Sequence, residues 1–229
     1  RTSRGCQREL MMVGDPLASA NKGLVPSRAW KRQARKLPWY PGDTVNLGIG
    51  HGDMLVTPLQ MAAGAAMLAN RGQWVMPRMA KNRTIEALPD LLPSGAEPLP
   101  EHVWEPIIGA MEKVVHRGNQ KFGENGTAWS YIGRDIPYRM AGKSGTAQVV
   151  EIRQGEVYDE ELIDERQRKH AWFIAFAPVE APKIALAVLI ENGGGGSEFA
   201  APVARQIIDY YLLEGHAGID LKLATRGDR

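Results

Sequence analysis

The stretch Tyr138-Arg-Met-Ala-Gly-Lys-Ser-Gly-Thr-Ala-Gln-Val-Val150 decides how this chain is read. Within it, Lys143-Ser144-Gly145-Thr146 sets a cation, a hydroxyl and a residue without a side chain in succession, on what reads as the start of a β-strand. Strands alternate their side chains, so Lys143 and Gly145 are expected on one face and Ser144 and Thr146 on the other. Gly145 would admit another backbone at close range. Its neighbours offer donors suited to a carboxylate or a developing oxyanion. Such short runs also arise by chance in surface turns, so the surrounding sequence carries the decision.

Downstream, residues 159–169 are densely charged and read as an exposed loop or short helix, with Glu160, Glu161, Asp164 and Glu165 on a solvated face. Two β-rich runs follow, Ala171-Trp-Phe-Ile-Ala-Phe-Ala177 and Ile184-Ala-Leu-Ala-Val-Leu-Ile190, and the short link 178–183 fits an antiparallel hairpin. Gly193 to Gly196 ends the second run as a flexible loop, and an amphipathic helix is predicted over Ala201 to Leu213.

Upstream, a helix is predicted from Trp104 to His116, with Ile107, Ile108, Met111, Val114 and Val115 on one face and Gly118 as its stop. Gly126-Thr-Ala128 opens a short segment between that helix and the Lys143 strand, while Pro89, Pro93, Pro98 and Pro100 mark a linker ahead of it. The first well-specified element begins at Thr57-Pro-Leu-Gln60. Thr57 suits the N-cap, Pro58 the first helical position, and Gln60 completes a capping box. Met61, Ala65, Leu68 and Ala69 continue at helical spacing until Asn70-Arg-Gly72. Helices, then three strands and a closing helix, predict an α+β domain with an antiparallel sheet and flanking helices.

Composition excludes more than it selects. The chain has 229 residues, 44% hydrophobic and 24% charged, as soluble globular proteins do. One cysteine, Cys6, rules out an intrachain disulfide and a cysteine-built zinc site. No apolar run reaches the roughly 20 residues of a membrane span. There is neither a signal peptide nor an initiator methionine, and the opening Arg1-Thr-Ser-Arg-Gly5 reads as that of a partial sequence. Residues 1–36 hold nine Lys/Arg against two acids, leaving −5 on the rest of a chain whose net charge is +2. Such a basic stretch could meet nucleic acid or an anionic membrane, but it reads first as a solvated, partly disordered leader. Pro26, Pro38 and Pro41 interrupt any long basic helix.

Taken together, the blocks resemble the C-terminal half of a class B penicillin-binding protein transpeptidase domain, most like the penicillin-binding protein 2 group. Val25-Pro-Ser-Arg-Ala-Trp-Lys31 and Pro38-Trp-Tyr-Pro-Gly-Asp-Thr44 match the segment before the capped helix. Leu47-Gly-Ile-Gly-His-Gly-Asp-Met-Leu-Val-Thr-Pro-Leu-Gln-Met-Ala62 matches the Gly-rich lead into it. Asn125-Gly-Thr-Ala128 matches a turn, Ala141 to Gln148 the active-site strand, and Ala171 to Pro178 with Leu189-Ile-Glu-Asn-Gly-Gly194 the next two strands. The blocks keep family order over residues 25–213. The resemblance implies a partial penicillin-binding and serine β-lactamase-like transpeptidase fold. Its expected organisation is a basic leader at 1–24, the C-terminal part of the domain at 25–215 and a tail at 216–229.

In such enzymes a serine attacks the D-Ala-D-Ala bond of a peptidoglycan stem peptide, expels D-Ala, and passes the acyl group to an amine; β-lactams trap the same serine. The resemblance makes Lys143 and Thr146 catalytic, through the proton network and a backbone oxyanion donor after Gly145. It makes Ser144, Gly145 and Ala147 substrate-binding, with the peptide added along this strand. Ser144 stands where many members carry threonine, and either hydroxyl donates. No metal or other cofactor is implied. The implied partners are the stem peptide, β-lactams and cell-wall elongation proteins. The implied location is the periplasmic side of a bacterial inner membrane, reached through an N-terminal anchor this chain does not show, and no nucleic acid is implied.

One departure matters. The family carries a Ser-x-x-Lys nucleophile motif and a separate Ser-x-Asn or Ser-x-Asp motif, both upstream of the Lys143 strand. Ser19-Ala-Asn-Lys22 satisfies both patterns at once, directly before the Val25 block, among Gly14, Pro16 and Gly23 that oppose a buried helix. We read it as coincidence, so the chain is expected to lack the nucleophile and to be inactive alone. A non-catalytic peptide-binding or interaction module is the alternative. Without the family's remaining strands, Ile184 to Ile190 would expose an unpaired edge, and the chain alone would be poorly soluble or oligomeric. His102, His116 and His170 show no metal-ligand spacing, His51 reads as loop structure because nothing near it offers a nucleophile to activate, and Gly48-Ile-Gly-His-Gly52 lacks the Lys of a phosphate loop.

Overall fold

The computed structural model describes residues 23–75, 77, 99–121, 123–147 and 164–214. Three strands, β1 (Ala141–Ala147), β2 (His170–Ala177) and β3 (Ile184–Ile190), form an antiparallel sheet in the order β1-β2-β3. Lys143 stands opposite Ile174, and Ile174 opposite Ala187. Both expected β-rich runs are therefore strands, one residue longer at His170 in the first case. Their β-branched and aromatic residues suit a sheet covered on two sides.

Alternation along β2 builds two cores. Ala171, Phe173, Ala175 and Ala177 face one way and join Val115, Ala128, Ile132, Met140, Ala201, Ala204 and Ile208. Ile174 and Phe176 face the other way, towards Ala69, Trp104, Ile108 and Met111. Phe173 and Phe176 are fully buried, one in each core. The first layer is α5 (Ala201–Asp209) with a π-helical turn at Trp129–Gly133. The second is α3 (Pro58–Ala69), and α4 (Glu101–His116) feeds both.

The helix signals translate directly where they are local. The Thr57 hydroxyl accepts from the Gln60 N–H at 3.2 Å and the Gln60 carboxamide oxygen accepts from the Thr57 N–H at 2.8 Å. This closes the expected box, with Pro58 at the start. At the other end Arg71 and Gly72 take positive φ, 53° and 91°. Helix α4 begins at Glu101, three residues before the expected Trp104, and carries Pro106 in its second turn. The expected last helix, Ala201 to Leu213, is regular only to Asp209 and continues as a π-helical turn, Tyr210–Glu214.

Two elements precede the first one expected. Helix α1 (Arg28–Ala34) fits between Pro26 and Pro38, with the Ser27 hydroxyl accepting from the Trp30 N–H at 3.1 Å. Helix α2 (Pro41–Gly48) uses Pro41 as its first residue, and the Asp43 carboxylate accepts from the Tyr40 N–H at 2.7 Å. The prolines read as helix breakers thus bound two short helices. Lys31 is only 8% exposed; its ammonium lies 2.5 Å from Asp43 Oδ2 and 4.8 Å from the Tyr40 ring centroid. That pairing ties α1 to α2 and draws the Asp43 carboxyl below its usual range. The Gly-rich run at 48–52 is the exit from α2, where Gly50 and Gly52 have φ of 77° and 75°. Residues 1–22 of the leader expected at 1–24, the Pro89, Pro93 and Pro98 linker, Glu160, Glu161 and the tail at 216–229 lie outside the described residues, while Leu24 pairs with Leu55 in an isolated antiparallel bridge. Among the described residues, no helix is long and apolar enough to cross a membrane.

Candidate active site

The three residues before β1 are anchored one by one. The Tyr138 hydroxyl donates to Asp209 Oδ1 at 2.5 Å, fixing the chain to α5. Burial, and then the Asp209 carboxylate, push that phenol well above its usual range. The Arg139 guanidinium forks onto Glu112 of α4, with Nη2 to Oε2 at 2.5 Å, and reaches Glu180 after β2 at 2.7 Å. The Met140 N–H donates to His116 Nε2 in the last turn of α4 at 2.9 Å. Burial holds the His116 imidazole below the ordinary histidine range, against the opposing pull of Glu112. As an acceptor at Nε2 it is neutral, with its proton on Nδ1. Strand β1 therefore starts from a fixed point.

Along β1 the expected alternation holds: Lys143 and Gly145 are exposed, while Ser144 and Thr146 are half-buried on the side of Phe173. Lys143 Nζ donates to the Ser144 carbonyl oxygen at 2.5 Å, which holds the cation against its own strand. Lys143 and Ser144 leave on opposite faces, so one ligand can meet both only along the strand's free edge. Among the described residues β1 pairs with β2 alone, so that edge is open.

A backbone does approach Gly145 closely, that of Gly196, while the Cβ side of Gly145 has room. A Cβ on Gly145 would meet only the Trp172 Cβ, at 3.4 Å, an ordinary contact. A Cβ on Gly142 would lie 2.6 Å from Phe173 Cζ, and one on Gly196 would lie 2.2 Å from the Trp172 oxygen and 2.5 Å from the Gly145 oxygen. The loop after β3 is thus pressed onto the sheet behind the Lys143 strand. It is also pinned: the Gly194 N–H donates to the Lys169 oxygen at 2.9 Å, and the Asn192 N–H to His170 Nδ1 at 2.9 Å. The flexible loop read from its glycines is a held one.

His116 and His170, whose spacing does not suit a metal site, both accept from backbone N–H groups. Neither role had a signal at sequence level, because Met140 is 24 positions from His116 and Asn192 is 22 from His170. Among the described residues no cluster of His, Cys, Asp and Glu could hold a metal ion. Ser19-Ala-Asn-Lys22 falls outside the described residues, and no Ser-x-x-Lys pattern occurs within them.

Residues 13–209 match the penicillin binding protein transpeptidase domain, so the chain belongs to that family. The peptidoglycan D,D-transpeptidase MrdA of Haemophilus influenzae is 37% identical over 206 residues, covering 88% of this chain and 31% of that protein. The crystal structure of Pseudomonas aeruginosa PBP2 in complex with WCK 5153 superposes with a TM-score of 0.69 at 40% identity, over 90% of this chain and 41% of that one. Helicobacter pylori PBP2, in a complex with MreC, gives 0.66 at 30% identity, over 86% and 32%. The chain spans about a third of the length of the curated relatives it matches.

Proposed function

We propose that this chain forms the peptide-holding wall of a peptidoglycan D,D-transpeptidase, with Lys143, Ser144, Gly145, Thr146 and Ala147 as its working residues. The observation that carries the reading is the open edge of β1, which presents Lys143 to one face and Ser144 to the other. A stem peptide ending in D-Ala-D-Ala adds along that edge through main-chain hydrogen bonds, antiparallel to β1. Ser144 donates to its terminal carboxylate and Lys143 supplies the positive field that holds it. The backbone N–H after Gly145, that of Thr146, serves the oxyanion of the tetrahedral intermediate. Gly145 and Ala147 keep the path beside the strand clear. The acyl acceptor serine and its lysine base come from outside the described residues.

On the same reading the protein works on the periplasmic side of the inner membrane, in building cell shape; what supports this is its likeness to peptidoglycan D,D-transpeptidases. By analogy with the H. pylori complex, a protein of the MreC kind is its partner.

Binding of a labelled D-Ala-D-Ala peptide tests the reading. K143A and S144A are each expected to weaken it about tenfold, the worth of a charge-assisted hydrogen bond. Fluorescent penicillin is expected to leave the chain unlabelled. Unchanged peptide binding in both variants would sink the assignment of the wall, and covalent labelling at Ser19 would overturn the reading of Ser19-Ala-Asn-Lys22 as coincidence.

A further inference from the structure

We propose that His116 is a positioning residue for the peptide-holding strand: its neutral imidazole sets where β1 begins, and a proton on Nε2 releases that start. The inference rests on the peptide-holding reading of β1 and adds a condition to it.

One hydrogen bond joins two places that have little freedom to adjust. The Met140 N–H donates to His116 Nε2 at 2.9 Å. Met140 is fully buried, and its side chain lies in one core while that of Ala141 lies in the other. Water does not reach the Met140 N–H, so loss of the imidazole acceptor leaves a buried donor unpaired. Behind His116 the end of α4 is held in turn. The Gly126 N–H donates to the Arg117 oxygen at 2.7 Å, and the Ala128 N–H to the Val114 oxygen at 3.0 Å. A Cβ on Gly133 would lie 2.0 Å from the Val115 oxygen. Lys143 comes three residues after Met140, about 10 Å along the strand. The place of Lys143 and Ser144 on the edge of β1 is therefore set from this bond.

Protonation reverses the contact. Neutral Nε2 accepts, whereas an imidazolium carries N–H on both nitrogens and would turn a donor towards the Met140 N–H. Glu112 stands one turn earlier on α4, at the spacing that suits an ion pair with His116, and grips Arg139 through both carboxylate oxygens. An imidazolium that takes Glu112 draws it from Arg139, the neighbour of Met140. Both ties of the strand's start then weaken together. The other charged groups around the ring are Arg139, Arg205 of α5 and Glu180 after β2. Arg205 is occupied by Asp209 and the Ile132 carbonyl, and Asp209 also accepts from Tyr138. Helix α3 holds no ionisable side chain, and β1 holds only the exposed Lys143. Tyr131 of the π-helical turn, Lys113 and Arg117 are exposed, and His170 stands at the far end of β2.

Binding of a labelled D-Ala-D-Ala peptide to the 229-residue chain, from about pH 8 to pH 5, tests the inference. Far-ultraviolet circular dichroism confirms the fold at each pH. Affinity of the native chain is expected to fall about fivefold across this range, as the loss of one hydrogen bond implies. The fall begins below the ordinary histidine range, because burial outweighs the pull of Glu112 on the proton. H116Q, whose carboxamide oxygen accepts from the Met140 N–H without titrating, should bind within about twofold of the native chain near neutrality and lose the fall. H116F, which fills the ring's place without an acceptor, should bind about fivefold more weakly at every pH. The Met140 amide signal in heteronuclear NMR should follow pH in the native chain and not in H116Q. Peptide binding that is equal at both ends of the range, or a fall that survives in H116Q, overturns the inference and leaves the peptide-holding wall standing. No binding by the native chain at any pH sinks the wall itself, and the inference with it, even where the Met140 amide still follows the His116 ring.

Discussion

A methyl group on Gly196 would lie 2.2 Å from the Trp172 carbonyl oxygen and 2.5 Å from that of Gly145, both of them backbone atoms that cannot turn aside. Gly196→Ala is therefore expected to lose about 1–3 kcal/mol of stability by forcing the loop off the sheet, read as a lower urea midpoint. Gly145→Ala is its control. There the added carbon meets only the Trp172 Cβ at 3.4 Å, so stability should stay within about 0.5 kcal/mol. Any loss of peptide binding in Gly145→Ala then reports on the ligand path and not on folding. Glycine was legible in the sequence as a mark of close approach. Which glycine is approached, and by which backbone, was not, because Gly145 and Gly196 meet across a separation of 51 positions that no local pattern records.

At the scale of elements, what was legible is what is local. The Thr57 and Gln60 box lies within four residues, and its two hydrogen bonds are present. Thr57→Ala should cost about 1 kcal/mol, measurable by chemical denaturation. Helices α1 and α2 lie outside the elements the sequence predicts because prolines there read as breakers, although Pro41 occupies the first position where proline is favoured. The His116 link between α4 and β1 carries a pH dependence. Burial lowers the folded-state pKa, so the unfolded chain binds the proton first as the solution is acidified. The contribution is complete above the ordinary histidine range, near pH 6.5, and is lost progressively below it. Thermal unfolding of the native chain should drop over this window. His116→Gln, which keeps an acceptor for the Met140 N–H but does not titrate, should flatten that part of the profile.

Across the whole molecule, Tyr138 joins β1 to α5 over 71 positions, while Arg205 bonds both Asp209 and the Ile132 carbonyl at 2.7 Å. Tyr138→Phe removes one hydrogen bond to a half-buried carboxylate and should cost about 1 kcal/mol. The raised phenol pKa adds a sign. Stability is fully present below the unfolded tyrosine pKa, near 10, and falls as the solution is made more alkaline, because only the unfolded chain ionises readily. Tyr138→Phe should lack that alkaline loss in melting temperature. Phe173 is fully buried at the centre of one core. Phe173→Ala should cost about 3–5 kcal/mol. Because α4 enters both cores, tryptophan fluorescence and far-ultraviolet circular dichroism should still report one transition.

The sequence alone determined the α+β class, the hairpin of β2 and β3, the capped helix α3 and the strand that carries Lys143. Each rests on short-range physics: side-chain alternation, caps within one turn, and propensities summed over a few residues. The blocks in order carried the family as well. Tertiary structure alone decided which edge of β1 is open, which glycine is crossed, that two histidines hold backbone N–H groups, and how β1 is fastened to α4 and α5. These depend on atoms brought together from distant positions, where a hydrogen bond or a steric limit acts over a few ångströms and sequence separation has no bearing.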